Sequence, residues 1–157
     1  MHSEPQYLLI VACSQRKRSD PGFLPAIERY DGVNFRVLRK AQREGYWPKN
    51  LSTLILSAKY GLLKPDTLIE DYDLRMTREQ ANVLQVQVST ELDAYLEQTS
   101  YHEVFVNLGK VYMIALALSK ELIASDRQVH FAAGGIGEKM SQMKKWLINL
   151  SCATRHR

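Results

Sequence analysis

The chain has 157 residues, a net charge of +4, 45% hydrophobic and 24% charged residues, enough for one domain that buries a core without metal or disulfide staples. Its two cysteines, Cys13 and Cys152, lie far apart with no metal-ligand spacing, which excludes a disulfide scaffold and predicts a reduced, cytoplasmic protein. The short polar opening and the absence of any apolar run of membrane-spanning length exclude a membrane partner.

The charge is unevenly spread. Residues 1–50 carry nine Lys/Arg against five Asp/Glu, residues 51–100 four against eight, and residues 101–157 eight against four. Charge runs of this size are common on solvated faces. A basic surface for phosphates or nucleic acid is the sharper reading.

Tyr7 to Cys13 (YLLIVAC) is almost wholly apolar, the pattern of a strand covered on both faces. A loop with Pro21, Gly22 and Pro25 follows. From Val33 to Glu44 the spacing turns helical, with Val33, Val37, Leu38 and Ala41 on one stripe, and Gly45 marks the stop. Leu51 to Leu56 has the length of a second buried strand. It ends in Ser57-Ala58-Lys59-Tyr60-Gly61, where Gly61 allows a sharp turn, and about fifteen residues then pass before the next helix. A connection that long in a compact domain predicts a binding loop, and we read it as the wall of a site.

Thr77-Arg78-Glu79-Gln80 has the pattern of a capping box, opening a helix from about Arg78 to Gln98. Glu103 to Leu108 reads as a third strand. Val111 to Ile123 is so apolar that it predicts one helix buried on most sides. Arg127 to Ala133 reads as a fourth strand. Gly134-Gly135-Ile136-Gly137 turns the chain into a last helix, with Ile136, Met140, Met143, Leu147 and Leu150 facing inward and residues 151–157 as a frayed tail. Strands alternating with helices predict an α/β fold: residues 1–157 form a single domain around a mostly parallel four-stranded central sheet with helices on both faces.

In such sheets ligands bind beyond the carboxyl ends of the strands. Four segments should meet there: Cys13 to Lys17, Ser57 to Gly61, Asn107 to Tyr112, and Gly134 to Gly137. They bring small residues together with Arg16, Lys17, Lys59 and Lys110, and the glycine-rich helix start beside them completes a candidate anion site. Arg16, Lys17 and Lys59 are the candidate phosphate ligands, and Tyr60 or Tyr112 the candidate stacking ring. Cys13, Ser14, Ser57, Gly61, Gly135 and Gly137 complete the candidate site around them.

Gly135-Ile136-Gly137 lacks the third glycine of a dinucleotide fingerprint, and no strand leads into a P-loop. No H-E-x-x-H, C-x-x-C or G-x-S-x-G occurs, so zinc proteases and α/β-hydrolases lose support. Cys13 ends a strand close to Arg16 and Lys17, which would favour a thiolate, yet no His or Asp partner is evident. Asp66, Glu70, Asp71 and Asp73 are either loop solvation or a weak Mg²⁺ site; no metal ligand or cofactor is assigned. Asp73, between the apolar anchors Tyr72 and Leu74, is the preferred acid/base group, with Lys59 as the other catalytic candidate. His102 reads as surface and His130 as a hydrogen-bonded structural residue. On the first helix, Arg36, Lys40 and Arg43 recur at spacings of four and three with Tyr46 and Trp47 beyond, either a solvated face or a track for a phosphate backbone.

The string Leu56-Ser57-Ala58-Lys59-Tyr60-Gly61-Leu62-Leu63 with Pro65-Asp66, Ile69 and Tyr72-Asp73-Leu74 resembles the central motif of a bacterial and phage family of uncharacterised domains. The opening Ala12-Cys13-Ser14-Gln15-Arg16-Lys17, the segment Tyr30-x-Gly32-x-x-Phe35-Arg36, Gly109-x-x-Tyr112 and the late Gly135-Ile136-Gly137 are similar too, so the resemblance covers nearly the whole chain. It adds Tyr30 and Gly109 to the candidate ligand-binding residues. Residues 56–76 are more distantly similar to the peroxide-stress protein YaaA family, associated with DNA binding and protection against oxidative DNA damage. Related domains also occur with enzymes of deazapurine modification of nucleic acids.

The resemblance implies a nucleic-acid or nucleobase context without assigning a reaction. The expectation is a nucleic-acid- or nucleotide-associated domain with an anion or nucleobase pocket at the strand ends, in DNA or RNA modification or damage protection. The alternative is a small-molecule hydrolase or transferase acting on a nucleoside, nucleotide or sugar phosphate. Sequence leaves open whether the protein is an enzyme, and its oligomeric state.

Overall fold

The computed structural model describes residues 4–123 and 127–155. Four parallel strands form the centre of the sheet: β1 (Gln6–Ala12), β3 (Leu51–Ser57), β6 (Tyr101–Asn107) and β7 (Gln128–Phe131). Between β1 and β3 the chain forms the short strand β2 (Leu24–Pro25) and the helices α1 (Ala26–Arg29) and α2 (Val33–Glu44). After β3 come β4 (Gly61–Leu63), β5 (Leu68–Ile69) and α3 (Arg78–Gln98). The helices α4 (Lys110–Ala115) and α5 (Lys120–Ile123) link β6 to β7, and α6 (Ile136–Arg155) ends the described chain.

The sheet order is β4-β3-β1-β6-β7, with β4 antiparallel to β3, and β2 pairs with β5 in a separate two-stranded sheet. The expected four-stranded parallel centre therefore gains a fifth, antiparallel edge strand. Alternation along the strands divides the core in two. Leu8, Ile10, Leu54, Leu56, Val104 and Val106 face α3, α4 and α5, whereas Tyr7, Leu9, Val11, Ile55 and Phe105 face α1, α2 and α6. Both faces are covered, which is why β1 reads as an unbroken apolar run.

Two expectations about helices are corrected. The apolar stretch Val111 to Ile123 does not form one helix: α4 ends at Ala115 and α5 starts at Lys120. Asp93 of α3 holds the new start, accepting from Ser119 Oγ at 2.6 Å and from the backbone N–H groups of Lys120 and Glu121. At the other end, α6 continues through Arg155 with Ser151 buried, so the helix extends well into the stretch expected to be a tail. Residues 156–157 lie outside the described chain. The capping box is half realised: Thr77 Oγ1 accepts from Gln80 N at 3.1 Å, while the Gln80 side chain donates to Ala58 O at 2.6 Å and so ties α3 to the β3–β4 turn.

Candidate functional site

β1 leads to α2 on one face of the sheet, and β6 leads to α4 on the other. The connections from these neighbouring strands diverge, and a crevice opens above their carboxyl ends, where ligands bind in sheets of this kind. A cavity of about 330 Å³ occupies it. Ala12, Cys13 and Ser14 come from the end of β1 and Asn107 and Gly109 from that of β6. Gly32 to Phe35 at the start of α2, Tyr112 of α4, and Ile136 and Lys139 of α6 complete the walls.

The start of α2 is pressed against β1. Ser14 Oγ accepts from Gly32 N at 3.2 Å and donates to Arg16 O at 2.7 Å. A Cβ added at residue 32 would lie 2.7 Å from Ser14 Cβ, so this approach needs glycine. Next to it, Asp31 pairs with Arg39 at 2.7 Å, Arg16 at 3.4 Å and Arg36 at 3.5 Å. Hydrogen bonding and charge from Arg36 and Arg39 hold the Asp31 carboxyl below its ordinary range. Three guanidiniums share one carboxylate, which leaves positive charge beside the crevice; Arg16 and Arg36 are its exposed members, whereas Arg39 also donates to Ile27 O and Tyr30 O.

A tyrosine cluster adjoins the crevice through Cys13. The Cys13 thiol lies 3.4 Å from Tyr112 Oη. Tyr30 Oη pairs with Tyr72 Oη, which also pairs with Ser57 Oγ at 2.9 Å. Ser57 Oγ accepts from the backbone N–H groups of Lys59 and Tyr60, both at 3.1 Å, and thereby shapes the β3–β4 turn. Burial pushes the Tyr30 hydroxyl up to about 12 and raises those of Tyr72 and Tyr112 as well. Tyr60 meets Tyr72 edge to face at 5.5 Å. Lys17 Nζ sits 4.4 Å from the Tyr72 ring centroid and Lys59 Nζ 5.6 Å from it, so two ammonium groups from different strand ends converge on one ring. Neither has a carboxylate partner among the described residues.

The predicted residues thus fall into groups. Cys13, Ser14, Gly109 and Tyr112 line the crevice, and Lys17, Tyr30, Ser57, Lys59 and Tyr60 form or flank the tyrosine cluster. Arg16 lies at Asp31. Gly61 takes φ +77 at the end of the β3–β4 turn, with Gln87 Nε2 2.9 Å from where a Cβ would sit, which makes it a turn residue. Gly135 and Gly137 flank Ile136 but do not themselves line the crevice. Asp73 is exposed and also lies outside the lining. Among the described residues no group of three or more His, Cys, Asp or Glu could hold a metal ion, so Asp66, Glu70, Asp71 and Asp73 do not gather.

On α2, Arg36, Lys40 and Arg43 are exposed, but Arg36 pairs with Asp31 and Lys40 with Glu44 at 3.9 Å. Trp47 packs partly against the core and the Tyr46 hydroxyl is buried, so both residues are half-buried beyond the helix. His130 Nε2 lies 2.7 Å from Glu103 Oε1, the hydrogen-bonded histidine that was expected, and His102 is exposed.

Sequence reasoning passed over Asn34 and Lys139 in the crevice, named Asn107 only as the start of a converging segment, and took Tyr72 as no more than an anchor. For Asn107 a signal existed: a carboxamide at the end of an otherwise apolar strand, Val104-Phe105-Val106-Asn107. Asn34 and Lys139 look like ordinary polar positions of amphipathic helices.

Residues 8–145, from the start of β1 well into α6, match the model of a family of unknown function. The chain belongs to DUF6884. No curated protein matches this DUF6884 chain. Among solved structures it is similar to AF0587, described as a protein of unknown function, with TM-score 0.50 and 13% identity. The match covers 91% of the DUF6884 chain and 44% of AF0587, so the chain spans less than half the length of that protein. At this identity the likeness is one of fold.

Proposed function

We propose that this DUF6884 domain binds nucleotides or nucleic acid, with a nucleobase in the β1–β6 crevice and phosphate held by the cations beside it. The observation that carries the reading is charge set against shape. The crevice has largely apolar walls and no carboxylate among its lining residues, while Arg16 and Arg36 at the start of α2, and Lys17 and Lys59 at Tyr72, supply exposed or unneutralised cations nearby. Apolar walls suit a flat ring and the cations suit phosphate. The resemblance of residues 56–76 to the YaaA family supports the same nucleic-acid context, and a role in modification or damage protection belongs to this proposal.

We assign Arg16 and Arg36 to the phosphate next to the base, Lys17 and Lys59 to further phosphates of a longer ligand, Tyr112 in the crevice to stacking on the base with Tyr60 beside Tyr72 outside it, and no chemical step to Asp73. Calorimetry with mononucleotides and filter binding with DNA and RNA oligonucleotides test the proposal. Affinity for oligonucleotides should fall steeply between about 50 and about 200 mM salt, and the Lys17→Ala/Lys59→Ala double variant should bind more weakly with a shallower salt slope. Unchanged binding by that variant, or no binding by the parent protein, would sink the reading.

A further inference from the structure

Asn107 ends β6 at the floor of the crevice and is 3% exposed. Its Nδ2 donates to Met143 Sδ at 3.4 Å, and its Oδ1 has no hydrogen-bond partner among the described residues. The sulfur fixes the orientation, because a thioether accepts a hydrogen bond and would gain nothing from facing a carbonyl oxygen. That oxygen is not among the fully buried side-chain atoms left without a partner in the described chain, so it is open to the crevice, where the donor of a bound group can reach it. The side chain of Asn34, on the opposite wall at the start of α2, also makes no hydrogen bond within the described chain, and its Oδ1 is shielded from solvent. A half-turn about its Cβ–Cγ bond presents either end of the amide to the crevice. Two carboxamides, that of Asn107 held by a thioether alone and that of Asn34 without a partner, therefore line one cavity, and among the described residues that line it Lys139 is the only charged one.

We propose that the crevice selects nucleobases carrying an exocyclic amino group, with Asn107 Oδ1 accepting one N–H of that group and Asn34 meeting the adjacent edge of the ring. This rests on the nucleobase reading above and makes Asn107 its specificity determinant. The base is uncharged, so it suits a cavity without a carboxylate, and Phe35, Tyr112 and Ile136 supply apolar surface for its faces. Its phosphate, where present, lies outside towards Arg16 and Arg36.

The test compares ligands that carry an amino group beside an acceptor ring nitrogen with ones that carry an oxo group beside a ring N–H, adenosine with inosine and cytidine with uridine, by calorimetry on the unaltered protein. Asn34, whose amide can turn, can meet either ring nitrogen, so the exocyclic group is what Asn107 distinguishes. A preference of about tenfold or more for the amino member of either pair is expected, the effect of one lost hydrogen bond to a buried acceptor. Asn107→Leu, checked for folding by circular dichroism, should abolish that preference; if this variant does not fold, the comparison on the unaltered protein still decides. Equal affinity within both pairs overturns the assignment of Asn107 while leaving nucleotide binding standing. If neither nucleosides, nucleotides nor oligonucleotides bind, this proposal and the one it rests on fall together.

Discussion

At the scale of single residues, the least expected group is Arg29. It is fully buried on the four-residue helix α1, and its guanidinium donates to Arg18 O, Asp20 O, Gly22 O and Ile69 O. One side chain thus ties the 14–32 loop to β5, where water cannot serve those carbonyls equally well. Arg29→Ala should cost about 3 kcal/mol or more in urea unfolding, because several buried acceptors lose their donor together; a loss below about 1 kcal/mol, within the range of an ordinary surface substitution, would refute this role. Tyr30 beside it gives a pH prediction. Its pKa is raised by burial from the ordinary 10 to about 12, so the unfolded chain releases the proton first as pH rises. The contribution of the neutral buried hydroxyl is present in full below about pH 10 and is lost between there and about pH 12. Unfolding midpoints measured from pH 8 upwards should fall across that window, and absorbance titration should show tyrosines that ionise late. A flat midpoint through the same range would refute the burial argument.

At the scale of elements, two glycines of α2 separate backbone conformation from close packing. Gly45 ends the helix at φ +79 with open space around it, so Gly45→Ala should cost about 1 kcal/mol from the left-handed backbone alone. Gly32 has an ordinary φ of −78, yet a Cβ there would strike Ser14. Gly32→Ala should therefore push α2 away from the end of β1, at a cost of about 1–3 kcal/mol, and should weaken nucleotide binding as well. Thermal unfolding paired with calorimetry distinguishes the two, since only the second variant should lose affinity. The long segment after β3, expected to be the wall of the site, is pinned in place but contributes no residue to the lining of the crevice. Ile69 and Met76 are buried, and Tyr72 is held by Ser57 and Tyr30, so it has anchors at three points although most of it has no regular structure. β4 and β5 are three and two residues long, too short for any periodicity to announce them.

At the scale of the whole molecule, the crevice depends on which strands are neighbours. β1 is central and pairs with β3 on one side and β6 on the other, so the chain must cross over β1 after β3. That crossing creates the divergence at β1 and β6 and hence the crevice. The same arrangement gathers positive charge from distant stretches. Replacing Arg16 and Arg36 together by Ala should weaken binding of nucleoside monophosphates more than that of nucleosides, as measured by calorimetry, because these cations stand beside the cavity rather than in its lining. An equal loss for both ligands would place them elsewhere in recognition. No helix among the described residues is long and apolar enough to cross a membrane, in keeping with the apolar runs of the sequence. Those runs, their alternation with helical spacing and the Gly45 stop determined the α/β class, both covered faces and the edge at which a ligand would sit, because burial on one or two faces leaves a local periodic trace. Only the tertiary structure decided the strand order, the break between α4 and α5 imposed by Asp93, the placing of Asn34 and Asn107 on one cavity, and the meeting of Lys17 with Lys59 at Tyr72. Contacts between residues far apart in the chain carry no local period, so nothing in the neighbouring sequence announces them.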